Sequence, residues 1–305
     1  MLKTIARLKY PTWPTITVAR SFFNEQHPRV LITGGCGQLG IPLAKQLWQR
    51  YGVDHVILSD IVRPTDEIYQ EGTYRYADVL NFSQIQELLV NERIDWIIHF
   101  SALLSMRGAF GLESPRSPAP DICVQRPRTI YGVSKVHNEL LGEYFYHKYN
   151  LDFRCLRFPA VISGDAKQEG GTTSYAIKMF HDALTSGNTT CYLRSDTRLP
   201  MMWIDDCIQS IIDIMEAPTS KLKQRTYNVA AMSFTPNELA NTIRKYKSSF
   251  TVSYTIDHRQ QIADSWPEAL DDRNAREHWG WNPKVDLDEL VRRMFEYLKA
   301  KHQAL

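Results

Sequence analysis

The strongest structural signal in the chain is Arg29-Val30-Leu31-Ile32-Thr33-Gly34-Gly35-Cys36-Gly37-Gln38-Leu39-Gly40. A short β-branched run enters a glycine-rich turn and continues as a helix, which is the context of a dinucleotide-binding turn. In the spacing of Gly34, Gly37 and Gly40, one glycine serves the tight turn, one lets backbone approach a pyrophosphate, and one allows close helix-to-strand packing. The helix N-terminus then offers N–H groups and a positive dipole end to phosphates. A glycine triplet alone is equally compatible with a purely structural turn.

An acidic residue at the end of the next strand adds to this signal. The run His55-Val56-Ile57-Leu58-Ser59-Asp60 ends twenty residues after Gly40. A carboxylate there accepts a hydrogen bond from the ribose 2′-hydroxyl of NAD and repels the 2′-phosphate of NADP. A further acid, Asp78, follows a third short run. The pattern therefore predicts NAD as cofactor.

Apolar runs alternate with helical periodicity up to residue 100. The pattern predicts strands at 29–33, 55–60, 74–77 and 95–100, and helices at 39–51 and 82–92. Such alternation indicates a doubly wound parallel α/β sheet of the Rossmann type, with right-handed crossovers. We assign 28–164 and 205–231 to the NAD-binding domain, and 165–204 and 232–305 to a smaller C-terminal substrate lobe.

Composition excludes several classes of protein. The 305 residues are 43% hydrophobic and 23% charged, as in ordinary globular proteins. Beyond residue 27 the chain has 32 basic and 33 acidic side chains, which argues against a nucleic-acid partner. No apolar run reaches the roughly 18 residues of a membrane span. Five scattered cysteines and nine histidines without ligand spacing predict neither disulfides nor a metal site.

The first 27 residues differ from the rest. They are basic and rich in threonine, and they contain no acid before Glu25. These features are typical of a mitochondrial targeting segment, which predicts a location in the matrix. A disordered tail is the alternative interpretation.

A tyrosine and a lysine share one face of a later predicted helix, in Tyr131-Gly132-Val133-Ser134-Lys135. Residues four apart on a helix point the same way. An ammonium group beside a phenol favours its ionised form, so the pair suits removal of a proton from an alcohol. The motif alone is common on helix surfaces, and its position after a nucleotide-binding turn makes it specific.

These two motifs together resemble the extended short-chain dehydrogenase/reductase family. Longer stretches resemble the threonine dehydrogenases of that family, which are mitochondrial in animals, and the resemblance covers nearly all of residues 29–290. The stretches are residues 130–137, 151–157, 170–173, 199–202, 227–234 and 263–267.

The resemblance implies oxidation of L-threonine to 2-amino-3-oxobutanoate, with NAD as hydride acceptor. Tyr131 would be the base and Lys135 its electrostatic partner. The implied cofactor contacts are Gly34, Gly35, Cys36, Gly37, Gln38, Leu39, Asp60, Ile61, Val62, Asp78, Val79, Tyr131, Lys135 and Val161, the last of these after the sixth strand. The implied substrate contacts are Ser105, Gly171, Thr172 and Thr173. Members of the family associate through helices like 133–149, so a homodimer is compatible with the resemblance.

The chain departs from the family pattern in one place. Ser105-Met106-Arg107 is followed directly by Gly108-Ala109-Phe110-Gly111, whereas the family has helical segments and a fifth strand between them. About 35 residues are absent, including the serine–threonine pair that binds the substrate alcohol. A parallel crossover needs a dozen or more residues, so we expect one central strand and its crossover to be missing.

Several alternatives stay open. The chain could be a shortened, catalytically impaired isoform or relic of the enzyme, or a nucleotide-sugar epimerase or dehydratase on the same scaffold. At the level of single residues, we expect His99 to be a core histidine on its strand. We expect Asp205 or Asp206 to cap a helix rather than bind metal, and Thr172 and Thr173 to cap a helix, bind substrate, or do both. Thr235-Pro236-Asn237-Glu238 predicts a capping box.

Overall fold

The computed structural model describes residues 27–101, 109–166 and 171–303. Its N-terminal half contains a four-stranded parallel sheet in the order β3-β2-β1-β4. The strands are β1 (Val30–Thr33), β2 (Val56–Asp60), β3 (Thr73–Tyr76) and β4 (Trp96–His99). The helices between them are α1 (Gly40–Tyr51), α2 (Asp66–Glu71) and α3 (Phe82–Asn91). The predicted doubly wound α/β class is confirmed.

The second half of the chain contributes seven strands and seven helices to the described residues. The helices are α4 (Ile130–Tyr149), α5 (Ser174–Thr185), α6 (Ile204–Glu216), α7 (Pro236–Arg244), α8 (Arg259–Ala263), α9 (Arg273–Trp279) and α10 (Leu287–Gln303). The strands are β5 (Cys155–Arg157), β6 (Ala160–Ile162), β7 (Asn188–Cys191), β8 (Leu199–Trp203), β9 (Thr226–Asn228), β10 (Met232–Phe234) and β11 (Thr251–Tyr254). β5 pairs with β9, β6 with β8, and β7 with β11, all parallel, while β10 joins β8 antiparallel.

Two large apolar cores hold these elements together. One core joins β1 and β2 to α1, α6 and the region of β9, and it includes Leu43, Ile208 and Tyr227. The other joins α5, α7 and α10 to β8, and it includes Phe180 and Leu290. Burial of apolar side chains is the main stabilising term in folding. The first core therefore joins the two halves of the chain, and the second is formed by the later half alone.

The face of the four-stranded sheet that lies opposite the first core is only partly covered. Leu31 and Ile57 pack there against Leu88 of α3, in a small third cluster. Ile97 of β4 pairs with Leu31 in the register and so faces the same side. Ile97 is nevertheless 52% exposed. The apolar side chains that cover this face therefore do not extend over β4.

Both β4 and α4 lack a neighbour that a complete sheet would give them. Within the described ranges, β4 pairs only with β1 and β5 pairs only with β9. In α4 only Gly132, Glu139 and Gly142 are buried, while Leu140 is 62% exposed. This arrangement agrees with the expected absence of one central strand and its crossover.

Some local expectations were wrong. The N-cap position of α6 is Trp203, and no side chain caps that helix. Asp206 instead accepts hydrogen bonds from the backbone N–H groups of Lys284 and Val285, at 2.9 and 3.0 Å. Asp205 accepts from the Trp203 indole at 2.9 Å and pairs with Arg293. Tertiary partners therefore use the acids that we expected to cap the helix.

Candidate active site

The glycine turn between β1 and α1 is tightly packed on one side and open on another. Gly34 has a φ of +67°, and a Cβ there would lie 2.7 Å from the backbone nitrogen of Ser101. A Cβ on Gly40 would overlap the carbonyl oxygen of Gly35. A Cβ on Gly37 would meet only the carbonyl oxygen of Gly34, at 3.2 Å. The turn therefore leaves free space at Gly37, where a phosphate can approach the backbone.

Leu39 and Gln38 complete this turn. Leu39 occupies the N-cap position of α1, and its side chain does not cap the helix. Gln38 donates a hydrogen bond from Nε2 to the hydroxyl oxygen of Ser163, at 3.0 Å. Ser163 follows β6, whose Val161 packs in the nucleotide-half core. Val161 thus lies four residues after the end of β5, within the next strand.

Asp60 lies at the end of β2, beside the glycine turn. Its carboxylate accepts hydrogen bonds from the backbone N–H groups of Cys36 at 3.1 Å and Val62 at 3.3 Å. The Tyr74 hydroxyl donates to the Asp60 carbonyl oxygen at 2.9 Å. Burial, together with the nearby Asp60 charge, raises the pKa of the Cys36 thiol to about 11, so the thiol stays protonated at neutral pH. The two backbone hydrogen bonds fix the Asp60 carboxylate next to the open side of the turn.

The other implied cofactor contacts lie on the same edge of the sheet. Ile61 and Val62 follow β2 and are both exposed. Asp78 follows β3, and its carboxylate accepts a hydrogen bond from the N–H of Leu80 at 2.9 Å. Val79 beside it is exposed. Asp78 therefore shapes the turn that leads into α3.

Tyr131 and Lys135 lie in the first turns of α4. Thr129 caps this helix by accepting from the N–H of Gly132, at 3.2 Å. The Lys135 ammonium lies 5.2 Å from the centroid of the Tyr131 ring. Burial raises the pKa of Tyr131 above its ordinary value, so desolvation is the larger effect on this phenol.

His99, at the end of β4, is a feature that the sequence interpretation placed incorrectly. Its side chain is exposed at the open edge and does not lie in the core. Its Nδ1 lies 2.8 Å from the hydroxyl oxygen of Thr33, its register partner on β1. Partial desolvation lowers the pKa of His99, and the Lys135 charge adds to the effect. The missing neighbour of β4 explains the exposure.

The implied substrate loop leads into α5. Thr172 is 1% exposed, and its hydroxyl oxygen has no hydrogen-bond partner among the described residues. Thr173 occupies the N-cap position without a side-chain bond, so the capping interpretation is not supported there. Ser174 instead accepts from the N–H of Gly171 at 2.8 Å. Ser105, the fourth implied substrate contact, lies outside the described residues.

Comparisons with known proteins identify the family of the chain. The model of the NAD dependent epimerase/dehydratase family matches residues 109–230. The bovine protein named L-threonine 3-dehydrogenase, mitochondrial, is 48% identical over 314 positions, which cover 91% of this chain and 84% of that protein. The chain belongs to this family, among its threonine dehydrogenases.

Solved structures of family members have the same fold. L-threonine dehydrogenase from Phytophthora infestans superposes with a TM-score of 0.85 at 38% identity, covering 90% of this chain and 99% of that one. L-threonine 3-dehydrogenase from Trypanosoma brucei has a TM-score of 0.86 at 33% identity, covering 90% and 98%. The family fold therefore extends over nearly all of this chain.

The bovine alignment also measures the internal difference between this family member and its relative. Because 91% of 305 residues is about 278, about 36 of the 314 aligned positions have no counterpart here. This number matches the roughly 35 residues expected to be absent from the family pattern, and it agrees with the open edge of β4.

A buried polar network ties the tyrosine-bearing helix α4 to the sheet. Glu139 forms an ion pair with Arg157 of β5 at 2.8 Å, and both side chains are buried. Gln125 donates to Glu139 at 3.1 Å, and Arg157 donates to the carbonyl oxygen of Asp121 at 2.6 Å. The sequence analysis missed this network, although Glu139 and Tyr131 lie eight residues apart, on one face of the same helix.

The described residues contain no group of three or more side chains suited to hold a metal ion. A shallow cavity of about 470 Å³ lies between β10 and α7, and no predicted site residue lines it. No helix in the described ranges is long and apolar enough to cross a membrane. The glycine turn with Asp60 and the Tyr131–Lys135 pair make up the candidate active site.

Proposed function

We propose that this chain binds NAD and oxidises L-threonine to 2-amino-3-oxobutanoate. The observation that carries the proposal is the glycine turn, open at Gly37 and flanked by the fixed carboxylate of Asp60. The 48% identity to a named L-threonine 3-dehydrogenase supports threonine over a nucleotide sugar as the substrate. The mitochondrial name of that relative supports the same location here, and we extend it to the matrix.

The residues around the turn fit NAD. The space at Gly37 and the N-terminus of α1 suit a pyrophosphate, because N–H groups and the helix dipole favour anions there. Asp60 suits a ribose 2′-hydroxyl and disfavours a 2′-phosphate. When bound, NAD supplies the hydride acceptor of the reaction.

Tyr131 and Lys135 supply the acid–base chemistry. The Tyr131 phenolate takes the proton of the threonine hydroxyl and becomes a neutral phenol. The Lys135 ammonium stabilises the phenolate before this transfer and would hold ribose hydroxyls of bound NAD. The network of Glu139 and Arg157 holds α4 against β5 and so fixes the height of Tyr131 above the sheet.

Thr172 is our proposed binder of the substrate amino or carboxylate group. Its buried, unpartnered hydroxyl gains a hydrogen bond when a polar ligand enters, and burial without such a bond is costly. Gly171, Thr173 and Ser105 complete the proposed substrate contacts. The two-lobe division at residues 164, 204 and 231, the targeting role of residues 1–27 and a homodimer remain proposals.

The absent positions favour a second candidate function, a chain that binds NAD but turns over threonine slowly. The serine–threonine pair of the family is missing, and the edge of β4 is open. Both candidates require NAD binding. They differ in the turnover rate.

Two measurements test the proposal. Thermal stabilisation is compared between NAD and NADP, for the wild type and for Asp60→Ala. We expect NAD alone to stabilise the wild type, and Asp60→Ala to reduce that preference. No stabilisation by either cofactor would refute the proposal.

NADH formation with L-threonine, measured alongside a full-length family member, then separates the two candidates. We expect Tyr131→Phe to lower turnover about 10²- to 10⁴-fold, the usual contribution of general acid–base catalysis. The control Tyr149→Phe removes an exposed hydroxyl from the same helix and should have no effect.

A further inference from the structure

The hydroxyl of Tyr192 reaches the loop that precedes α5. Tyr192 directly follows β7 and is 8% exposed. Its hydroxyl donates to the carbonyl oxygen of Gly171 at 2.9 Å. Because the N–H of Gly171 donates to Ser174, both backbone polar groups of this glycine have fixed partners.

The ring of Tyr192 is itself held by another element. The guanidinium carbon of Arg259 lies 3.1 Å from the ring centroid. Asp257 accepts from Arg259 through both carboxylate oxygens, with N–O distances between 2.6 and 3.1 Å. The Arg259 guanidinium is attracted to the face of the Tyr192 ring, and the ion pair with Asp257 restricts the movement of the guanidinium. Arg259 begins α8, so a part of the C-terminal lobe sets the position of the ring.

The backbone position of Gly171 determines where the next side chain points. Thr172 follows directly, and its hydroxyl oxygen is buried without a partner in the described part of the chain. Rotation of the backbone at Gly171 would turn the Thr172 hydroxyl away from its present direction. The bond from Tyr192 restricts that rotation, and the N–H of Ser174 adds to the restriction by donating to the same carbonyl oxygen at 3.2 Å.

We infer that Tyr192, clamped by Arg259, is a positioning residue for the substrate loop, and that it presents the Thr172 hydroxyl to the amino or carboxylate group of the substrate. The inference rests on the proposed function, because it takes L-threonine as the ligand of this loop. Tyr192 acts through Gly171 and does not touch the substrate.

Steady-state kinetics of Tyr192→Phe test the inference, since phenylalanine keeps the ring under Arg259 and removes only the hydroxyl. We expect KM for L-threonine to rise about tenfold, the factor that corresponds to 1.4 kcal/mol. We expect kcat to change less than about twofold, as for loss of uniform binding, and NAD affinity to stay unchanged. The control Tyr246→Phe removes an exposed hydroxyl from the same lobe and should leave KM unchanged.

Hydrogen exchange provides a readout that does not depend on turnover. Faster exchange of the Gly171 and Ser174 amides in Tyr192→Phe, without faster exchange in α10, supports a positioning role. Unchanged exchange and unchanged KM would overturn it, and so would equal losses of threonine and NAD binding with a lower Tm. If the wild type fails to oxidise threonine, the proposed function fails, while the exchange comparison still decides whether Tyr192 holds the loop.

Discussion

At Tyr131 two environmental effects oppose each other, and the structure shows which one is larger. Burial raises the pKa of the phenol above its ordinary value of about 10, although the Lys135 ammonium is 5.2 Å from the ring. In the proposed mechanism the base is the Tyr131 phenolate, and its population grows as pH rises towards that raised pKa. We expect kcat to rise steadily between about pH 7 and pH 10 without a plateau.

The pH dependence of single-turnover NADH formation checks this expectation, because it isolates the chemical step. Lys135→Met should lower the rate at every pH and leave the upward trend in place, since burial causes the shift. A plateau below pH 9 in the wild type would contradict the assignment of Tyr131 as a buried base.

Residues that share a local motif were predictable from the sequence, whereas residues that meet across the fold were not. Gly34, Asp60, Tyr131 and Lys135 could be chosen from spacing alone. The contact between Thr33 and His99 depends on the register of β1 and β4. The bond from Tyr192 to Gly171 joins residues 21 apart, and no periodicity indicates it.

The ends of helices could be predicted from the sequence where the capping side chains belong to the same local segment. Helix α7 shows this, because Thr235 accepts from the N–H of Glu238 at 3.1 Å and Glu238 accepts from the N–H of Thr235 at 2.8 Å. The predicted capping box is therefore confirmed. The expected cap of α6 was wrong because Asp206 instead binds the backbone before α10, and that backbone lies 78 residues away.

The capping box of α7 gives a prediction for stability. Thr235→Ala removes one acceptor and leaves a helix N–H without a partner, so we expect a loss of about 1 kcal/mol in the free energy of unfolding. Urea unfolding followed by circular dichroism measures the loss. Thr255→Ala removes an exposed threonine outside the helices and should change stability by less than about 0.5 kcal/mol. A loss of equal size in both variants would contradict the capping role.

At the scale of the whole molecule, the two halves of the sheet share a core on one face and are separate on the other. Ile98, Leu156 and Tyr227 belong to the same apolar cluster, although β4 does not pair with β5 or β9 in the described residues. On the opposite face Leu88 of α3 covers Leu31 and Ile57, but Ile97 stays exposed. The sequence predicted a missing strand from motif spacing, but it could not show which face loses its cover.

The exposure of Ile97 on one face of the sheet predicts how restoring the absent segment changes the stability of the chain. Inserting the corresponding bovine segment of about 36 positions after Ser105 should pair the edge of β4 and cover Ile97. Because Ile97 is 52% exposed, covering the rest of its side chain contributes about half of the roughly 1.5 to 3 kcal/mol of a full burial. We expect a higher urea midpoint and a larger m-value, because m scales with the surface exposed on unfolding. An insertion of equal length in glycine and serine lengthens the loop without adding a strand and should raise neither quantity. If the bovine segment behaves like this control, the open edge of β4 is not a deficit of the fold, and the two large apolar cores account for the stability of the chain.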